Sequence, residues 1–199
     1  MNLLSIKNLS KKEILDLIEF CGKVKSKPED YRSNLKGKSL AMLFEKPSTR
    51  TRVSFEVDIT HLEGHAVYID LSTTQLKRGE TWEDTAKTLS RYVDAITARV
   101  YFHDTLKKLS VAEVPVINAL LDLEHPCQIL SDLYTIGEKN KLMEEIVYIG
   151  DGNNVCNSLI LAADILELNL TVSCPRGAEP KFKVDIEYNP IDAIKNAGM

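Results

Sequence analysis

Apolar and polar positions follow two rhythms along this chain. Near the start, "LSKKEILDLIEFCGKVKSK" sets Ile14, Leu15, Leu17, Ile18 and Cys21 at helical spacing behind Ser10, which predicts a capped amphipathic helix. "SLAMLFE" (39–45) is short and apolar, a strand pattern. A Ser/Thr/Arg-rich stretch follows and runs into a helix that should reach about Glu63. The pattern then repeats. "HAVYIDL" is the next strand and "TWEDTAKTLSRYV" the next helix. "DAITARVY" is strand-like, "DTLKKLSVAE" a short helix, and "VPVINAL" a strand. "HPCQILSDLYTIGEKN" is a helix with proline in its first turn, where a missing N–H costs nothing. Four strand–helix alternations predict a parallel α/β sheet.

Between Lys139 and Glu145 the composition turns charged, so a domain boundary is expected near residue 140, dividing the chain into 1–140 and 141–199. Beyond it come a strand "EIVYIG", a loop "DGNN", a helix "VCNSLILAADILEL" and a strand "NLTVSCP". A third strand, "VDIEY", lies in the tail. The link from Cys174 to Val184 is too short for the crossover helix that a parallel neighbour usually needs, so this second unit is expected to be incomplete.

With 199 residues, 44% of them hydrophobic, the chain can bury one substantial core or two small ones. A net charge of -4 argues against a general nucleic-acid or anionic-membrane partner, so basic residues must act locally. The cysteines (Cys21, Cys127, Cys156, Cys174) are widely spaced and form no CxxC or Cys/His pattern, so neither a disulfide framework nor a zinc site is indicated. The apolar stretch of "MNLLSIKNLSKKEIL" is short and broken by lysine, unlike a signal peptide or membrane span. A cytoplasmic protein is the expectation.

Against that background, "FEKPSTRTRVSFE" (44–56) stands out. Ser48 or Thr49 would cap a helix, since hydroxyls satisfy N–H groups without partners inside it. Arg50 and Arg52 add positive charge where the helix dipole is already positive, which makes sense if an anion sits there. On a helix, residues two apart point roughly 200° apart, so both arginines cannot face one ligand; Arg50 lies nearer the mouth and Arg52 can pair with Glu56. Either a phosphate cradle or a capped helix with solvated arginines fits the spacing. "EHPCQ" (124–128) opens another helix after a strand, at the edge where α/β sheets bind ligands; His125 could donate to a carbonyl or be structural. Arg99 ends "DAITAR", on the same edge if the strands are parallel. "GDGNN" (150–154) lacks GxGxxG and GK[ST], so Asn153 and Asn154 suit either an amino-acid-binding loop or a plain turn. The polar loop "TTQLKRGETWEDT" (73–85) could be merely solvated or reach a neighbouring subunit.

Taken together, these stretches resemble the aspartate/ornithine carbamoyltransferase family. "PSTRT" is similar to its carbamoyl-phosphate signature, and "HPCQ" matches its His-Pro-x-Gln. "FEKPSTRTRVSFE", "QLKRGETWEDTAKTLSRYVDAI" and "GDGNNVCNS" resemble the ornithine branch. The aspartate branch usually carries Lys-Gly-Glu in a loop that enters the neighbour's site, whereas "LKRGE" puts Arg78 beside the glycine. The resemblance covers nearly all of residues 1 to 172.

It implies two parallel-sheet α/β domains, the first binding carbamoyl phosphate and the second, here partial, binding the amino acid. Ser48, Thr49, Arg50 and Thr51 would hold the phosphate. Arg99, His125 and Gln128 would surround the carbamoyl group, with Pro126 and Cys127 in the same segment. Gln75 would reach in from an adjacent subunit of a homotrimer, and Asn154 would hold ornithine. The implied reaction is carbamoyl phosphate plus L-ornithine giving citrulline and phosphate, with Arg50, Arg99 and His125 catalytic and no cofactor or metal. An aspartate or other acceptor, or a non-catalytic carbamoyl-phosphate-binding fragment, are the alternatives. The family's later Asp-x-x-x-Ser-Met-Gly and His-Cys-Leu-Pro segments do not occur before Met199, so the polypeptide is expected to have little activity alone.

Overall fold

The computed structural model describes residues 1–139 and 145–197. Its packing divides the chain into two compact units: Met1–Leu4 with Lys23–Asp122, and Ser5–Gly22 with Leu123–Met199. The boundary expected near residue 140 lies outside the described residues. Packing groups residues 123–139, ahead of that boundary, with the second unit.

The first unit is built on four parallel strands in the order β2-β1-β3-β4: β1 (Ser39–Phe44), β2 (His65–Asp70), β3 (Ala95–Arg99) and β4 (Val116–Leu120). The helices between them are α2 (Thr49–His61), α3 (Trp82–Leu89) and α4 (His103–Leu109), the alternation read from the sequence. β1 is buried from Leu40 to Phe44, as a central strand covered on both faces must be. Leu40, Met42 and Phe44 face Phe55 and Ile59 of α2, and each fully buried large side chain of this kind contributes about 1.5–3 kcal/mol. α3 stops at Leu89, four residues short of expectation, because the chain turns through Arg91–Val93 so that Asp94 can rejoin the sheet. There the Asp94 carboxylate accepts from the Ser39 N–H at 2.9 Å and from Lys38 at 2.8 Å.

The register sets the strand ends. Phe44 lies opposite both Asp70 and Arg99, and Arg99 opposite Leu120. The carboxyl ends of all four strands therefore form one edge, where α2 begins.

The second unit contains most of α1 (Lys11–Ser26), then α5 (Pro126–Glu138), β5 (Ile146–Ile149), α6 (Asn154–Leu166), β6 (Leu170–Ser173), β7 (Asp185–Ile186) and α7 (Pro190–Ala193). Ser10 starts α1 as expected: its hydroxyl accepts the Glu13 N–H while Glu13 accepts the Ser10 N–H. α5 packs along α6, and α6 is buried on nearly every side from Cys156 to Ala163.

The reading that a parallel neighbour after Cys174 needs a crossover helix is corrected. β7 pairs parallel to β6, order β5-β6-β7, although the link between them holds no helix. Two features make this possible. β7 needs only two residue pairs, and the link itself takes the place of a covering helix. It turns at Pro175–Ala178, then lays Phe182 and Val184 against Cys156, Ile160 and Val172. Its backbone is satisfied on the way by Gly152 and by the Asn157 side chain, so an extended segment can lie on the layer without orphaned amides.

Candidate active site

The first unit holds the phosphate-type residues. Ser48 is the N-cap of α2, with extended backbone, and its Oγ accepts the Thr51 N–H at 3.3 Å and donates to Thr51 Oγ1 at 3.0 Å. The cap and the ligand cradle are therefore not alternatives, since the same hydroxyls that start the helix line its mouth. Arg99 ends β3 and donates from Nη1 to Thr51 Oγ1 at 3.2 Å, while its Nε is buried with no hydrogen-bond partner. Burial lowers the Arg99 pKa from its ordinary value. The structure thus joins Ser48, Thr51 and Arg99, with Thr49 and Arg50 exposed on the same first turn.

The two arginines of the motif part company, as helical geometry requires. Arg52 pairs with Glu56 at 3.1 Å and stacks on Tyr68 at 3.8 Å. Among the described residues, neither Arg50 nor Arg99 meets a carboxylate. Two guanidinium groups beside the positive end of a helix, with no internal counter-charge, are the chemistry an anion would need. The surrounding loops are fixed. Lys46 pairs with Asp122 at 2.6 Å and lies over the Tyr101 ring, while Glu45 accepts the Tyr101 N–H at 2.8 Å. A larger hollow of about 750 Å³, lined by Val24, Pro28, Arg32, His61 and Leu62, opens at the other end of α2. That end is the negative one and suits an anion poorly.

Gln75 lies exposed on a single helical turn, Gln75–Arg78, that ends at Gly79 with φ 95, a left-handed value glycine adopts freely. The loop at 73–85 is thus ordered, with Thr81 capping α3 through the Asp84 N–H.

The second unit holds the remaining candidates. His125 is the N-cap of α5, its side chain makes no capping bond, and Pro126 follows at the first helical position. The His125 N–H is taken by Ser158 Oγ at 2.8 Å. Gln128 is exposed and donates to Asp132 at 2.9 Å. Burial pushes the Cys127 thiol up to about 11. In "GDGNN", Asn153 is the structural residue: its Oδ1 caps α6 by accepting the Val155 and Cys156 N–H groups. Asn154 occupies the first turn of α6, half-buried. Gly152 has its own reason. A Cβ there would stand 2.1 Å from the Pro180 nitrogen, so the glycine exists for a close backbone approach. Asn157 and Ser158 close the stretch "GDGNNVCNS", but the sequence reading gave them no role. Their signal was two polar residues inside an otherwise apolar helix, "VCNSLILAADILEL".

The whole chain finds matches among known proteins. Residues 1–138 match the model of the aspartate/ornithine carbamoyltransferase carbamoyl-P binding domain, and residues 144–195 that of the Asp/Orn binding domain. The chain is 52% identical over 185 residues to an ornithine carbamoyltransferase of Methanosarcina acetivorans, covering 90% of this chain and 61% of the relative. It is 49% identical over 183 residues to one of Pyrococcus horikoshii, covering 83% and 58%. The solved ornithine carbamoyltransferase from Pyrococcus furiosus superposes with a TM-score of 0.91 at 43% identity, covering 98% of this chain and 69% of that one. The chain therefore spans about three fifths of the length of these curated relatives. With one family model matching residues 1–138 and its companion most of the remainder, this chain belongs to the aspartate/ornithine carbamoyltransferase family.

Proposed function

We propose that the chain belongs to an enzyme that moves the carbamoyl group of carbamoyl phosphate to the δ-amine of L-ornithine, giving L-citrulline and phosphate. The observation that carries this reading is the mouth of α2, where Ser48, Thr51 and Arg99 interlock and neither Arg50 nor Arg99 meets a carboxylate among the described residues. Ornithine is favoured as acceptor because the similar relatives are named for it.

In this reading Ser48, Thr49, Arg50 and Thr51 hold the phosphate through backbone N–H groups, hydroxyls and one guanidinium. The amine nitrogen forms a bond to the carbamoyl carbon, the bond from that carbon to the phosphate oxygen breaks, and phosphate leaves with the electron pair and takes up the proton that the nitrogen gives up. The attacking amine must be neutral, although a free alkylamine titrates near 10.4, roughly the lysine value. Negative charge that builds on the carbamoyl oxygen and the leaving phosphate is met by hydrogen-bond donors of Arg50, Arg99 and His125. Gln128, with Pro126 and Cys127 in the same His-Pro-Cys-Gln segment, lines the carbamoyl group, and Asn154 holds ornithine. Gln75 serves the site of a neighbouring chain in a homotrimer, for which its exposed position on an ordered turn is suitable. A cytoplasmic location belongs to the same reading; no described helix is long and apolar enough to cross a membrane.

The test is product formation from carbamoyl phosphate with L-ornithine or with L-aspartate. The whole enzyme to which the chain belongs should form citrulline and not carbamoyl-aspartate, while this polypeptide alone should form little of either. Failure of carbamoyl phosphate to bind, measured by calorimetry, would remove the reading altogether.

A further inference from the structure

The segment entering α5 is held from α6 by polar side chains that have no part in the substrate contacts proposed above. Ser158 is fully buried and its Oγ accepts the His125 N–H at 2.8 Å. Asn157, 2% exposed, donates from Nδ2 to the Leu123 carbonyl at 3.1 Å and accepts the Lys181 N–H at 2.8 Å. Between those anchors Glu124, 3% exposed, accepts from Ser5 Oγ at 2.9 Å and from the Ile6 N–H at 3.1 Å. Three consecutive residues, Leu123, Glu124 and His125, are thus pinned by hydrogen bonds of the buried side chains Asn157, Glu124 and Ser158. Burying Asn, Ser and Glu is costly unless each is satisfied, and a turn at the surface would have left the same N–H groups to water.

The position of His125 follows from these anchors. As N-cap it has non-helical backbone, φ -136 and ψ 74, and no side-chain capping bond to fix it. Ser158 holds its N–H, and Pro126, which follows it, keeps its backbone out of the helical region. Asn154 stands three and four residues before Asn157 and Ser158, so all three share one face of α6.

We infer that Ser158, supported by Asn157, is a positioning residue for His125. One rigid helix end then sets the spacing between the histidine and the amino-acid-binding Asn154. The inference rests on the role proposed for His125. Its effect should be catalytic rather than one of affinity, because a misplacement of about 1 Å can cost roughly a hundredfold in rate.

The experiment compares Ser158→Ala, Ser158→Thr and a control, Ile160→Val, which trims the same helix away from the pinned segment. Citrulline kinetics and the NMR signals of the four histidine rings are recorded for each. Ser158→Ala should lose at least about tenfold in kcat, with KM for carbamoyl phosphate within roughly threefold, and Ser158→Thr, which keeps the hydroxyl, should recover most of it. Ile160→Val should stay within about twofold of the parent. The His125 ring signals should move in Ser158→Ala while those of His61, His65 and His103 hold. An unchanged kcat in Ser158→Ala, or an equal loss in Ile160→Val, overturns the inference. If the unmutated polypeptide alone makes too little citrulline to measure, as is expected of it, the ring signals decide: an unmoved His125 in Ser158→Ala refutes the positioning role.

Discussion

Arg50 adds positive charge next to the positive end of α2 and, among the described residues, meets no carboxylate. Such a residue gives little to an empty protein and much to an occupied one. Arg50→Ala should leave thermal stability unchanged or slightly higher, since repulsion from a helix end costs about 0.3–1 kcal/mol. The same change should weaken carbamoyl-phosphate binding by roughly 1.5–3 kcal/mol, the value of a charge-assisted contact, and calorimetry on a folded variant reads it directly. Equal affinity would show that the α2 mouth is not the phosphate site. A second residue-scale effect concerns the thiols. Burial raises Cys127 and Cys156 from 9.0 to about 11. Unfolding returns both to the ordinary value, so their contribution is whole below pH 9 and is lost as pH climbs toward 11. Denaturant midpoints should fall across that interval, and less steeply in Cys156→Ala. A Cys156→Ala slope equal to that of the parent would mean that the thiol titrates normally in the fold.

At the scale of elements, Gly152 makes the sharpest case. Its missing side chain lets residues 178–180 pass, and its N–H bonds the Ala178 carbonyl at 2.7 Å. Gly152→Ala would drive a methyl into backbone that cannot yield, so a loss of about 1–3 kcal/mol or more is expected. Thermal melting followed in the second unit checks it, and an unchanged midpoint would mean that the link at 178–180 is free to move. The same region shows what the sequence could and could not reveal. Every strand and helix that carries a local period, from "SLAMLFE" to "VCNSLILAADILEL", was legible, because alternation and helical spacing are written in neighbours. The Arg50 and Arg52 split was legible too, from helix geometry alone. The parallel return of β7 was not, since it depends on Phe182 and Val184 finding Cys156 and Ile160 far away in sequence. Gly152 drew no separate reading within "GDGNN" for the same reason. Asn157 and Ser158 hid inside an apolar run, where their partners at Leu123 and His125 leave no local mark.

At the scale of the whole molecule, assembly gives the plainest test. The proposed site borrows Gln75 from a neighbour, so sedimentation should find trimers at micromolar concentration, and Gln75→Ala should lower activity without altering the mass. Monomers from folded protein would defeat that proposal. The division into packing units also bears on how the chain is made. Residues Ser5–Gly22, most of α1, belong with Leu123 and everything after it, while nearly all of the first unit lies between. During synthesis, α1 leaves the ribosome ahead of the other described α-helices, yet buried Ile14 has no core of its own unit to enter until α5 and α6 have followed. The first unit can close meanwhile, using strands that are near neighbours in order. Although translated ahead of the other described α-helices, α1 is therefore among the last to be buried, and until then the capping exchange between Ser10 and Glu13 and the Lys12–Asp16 pair help it to hold its shape.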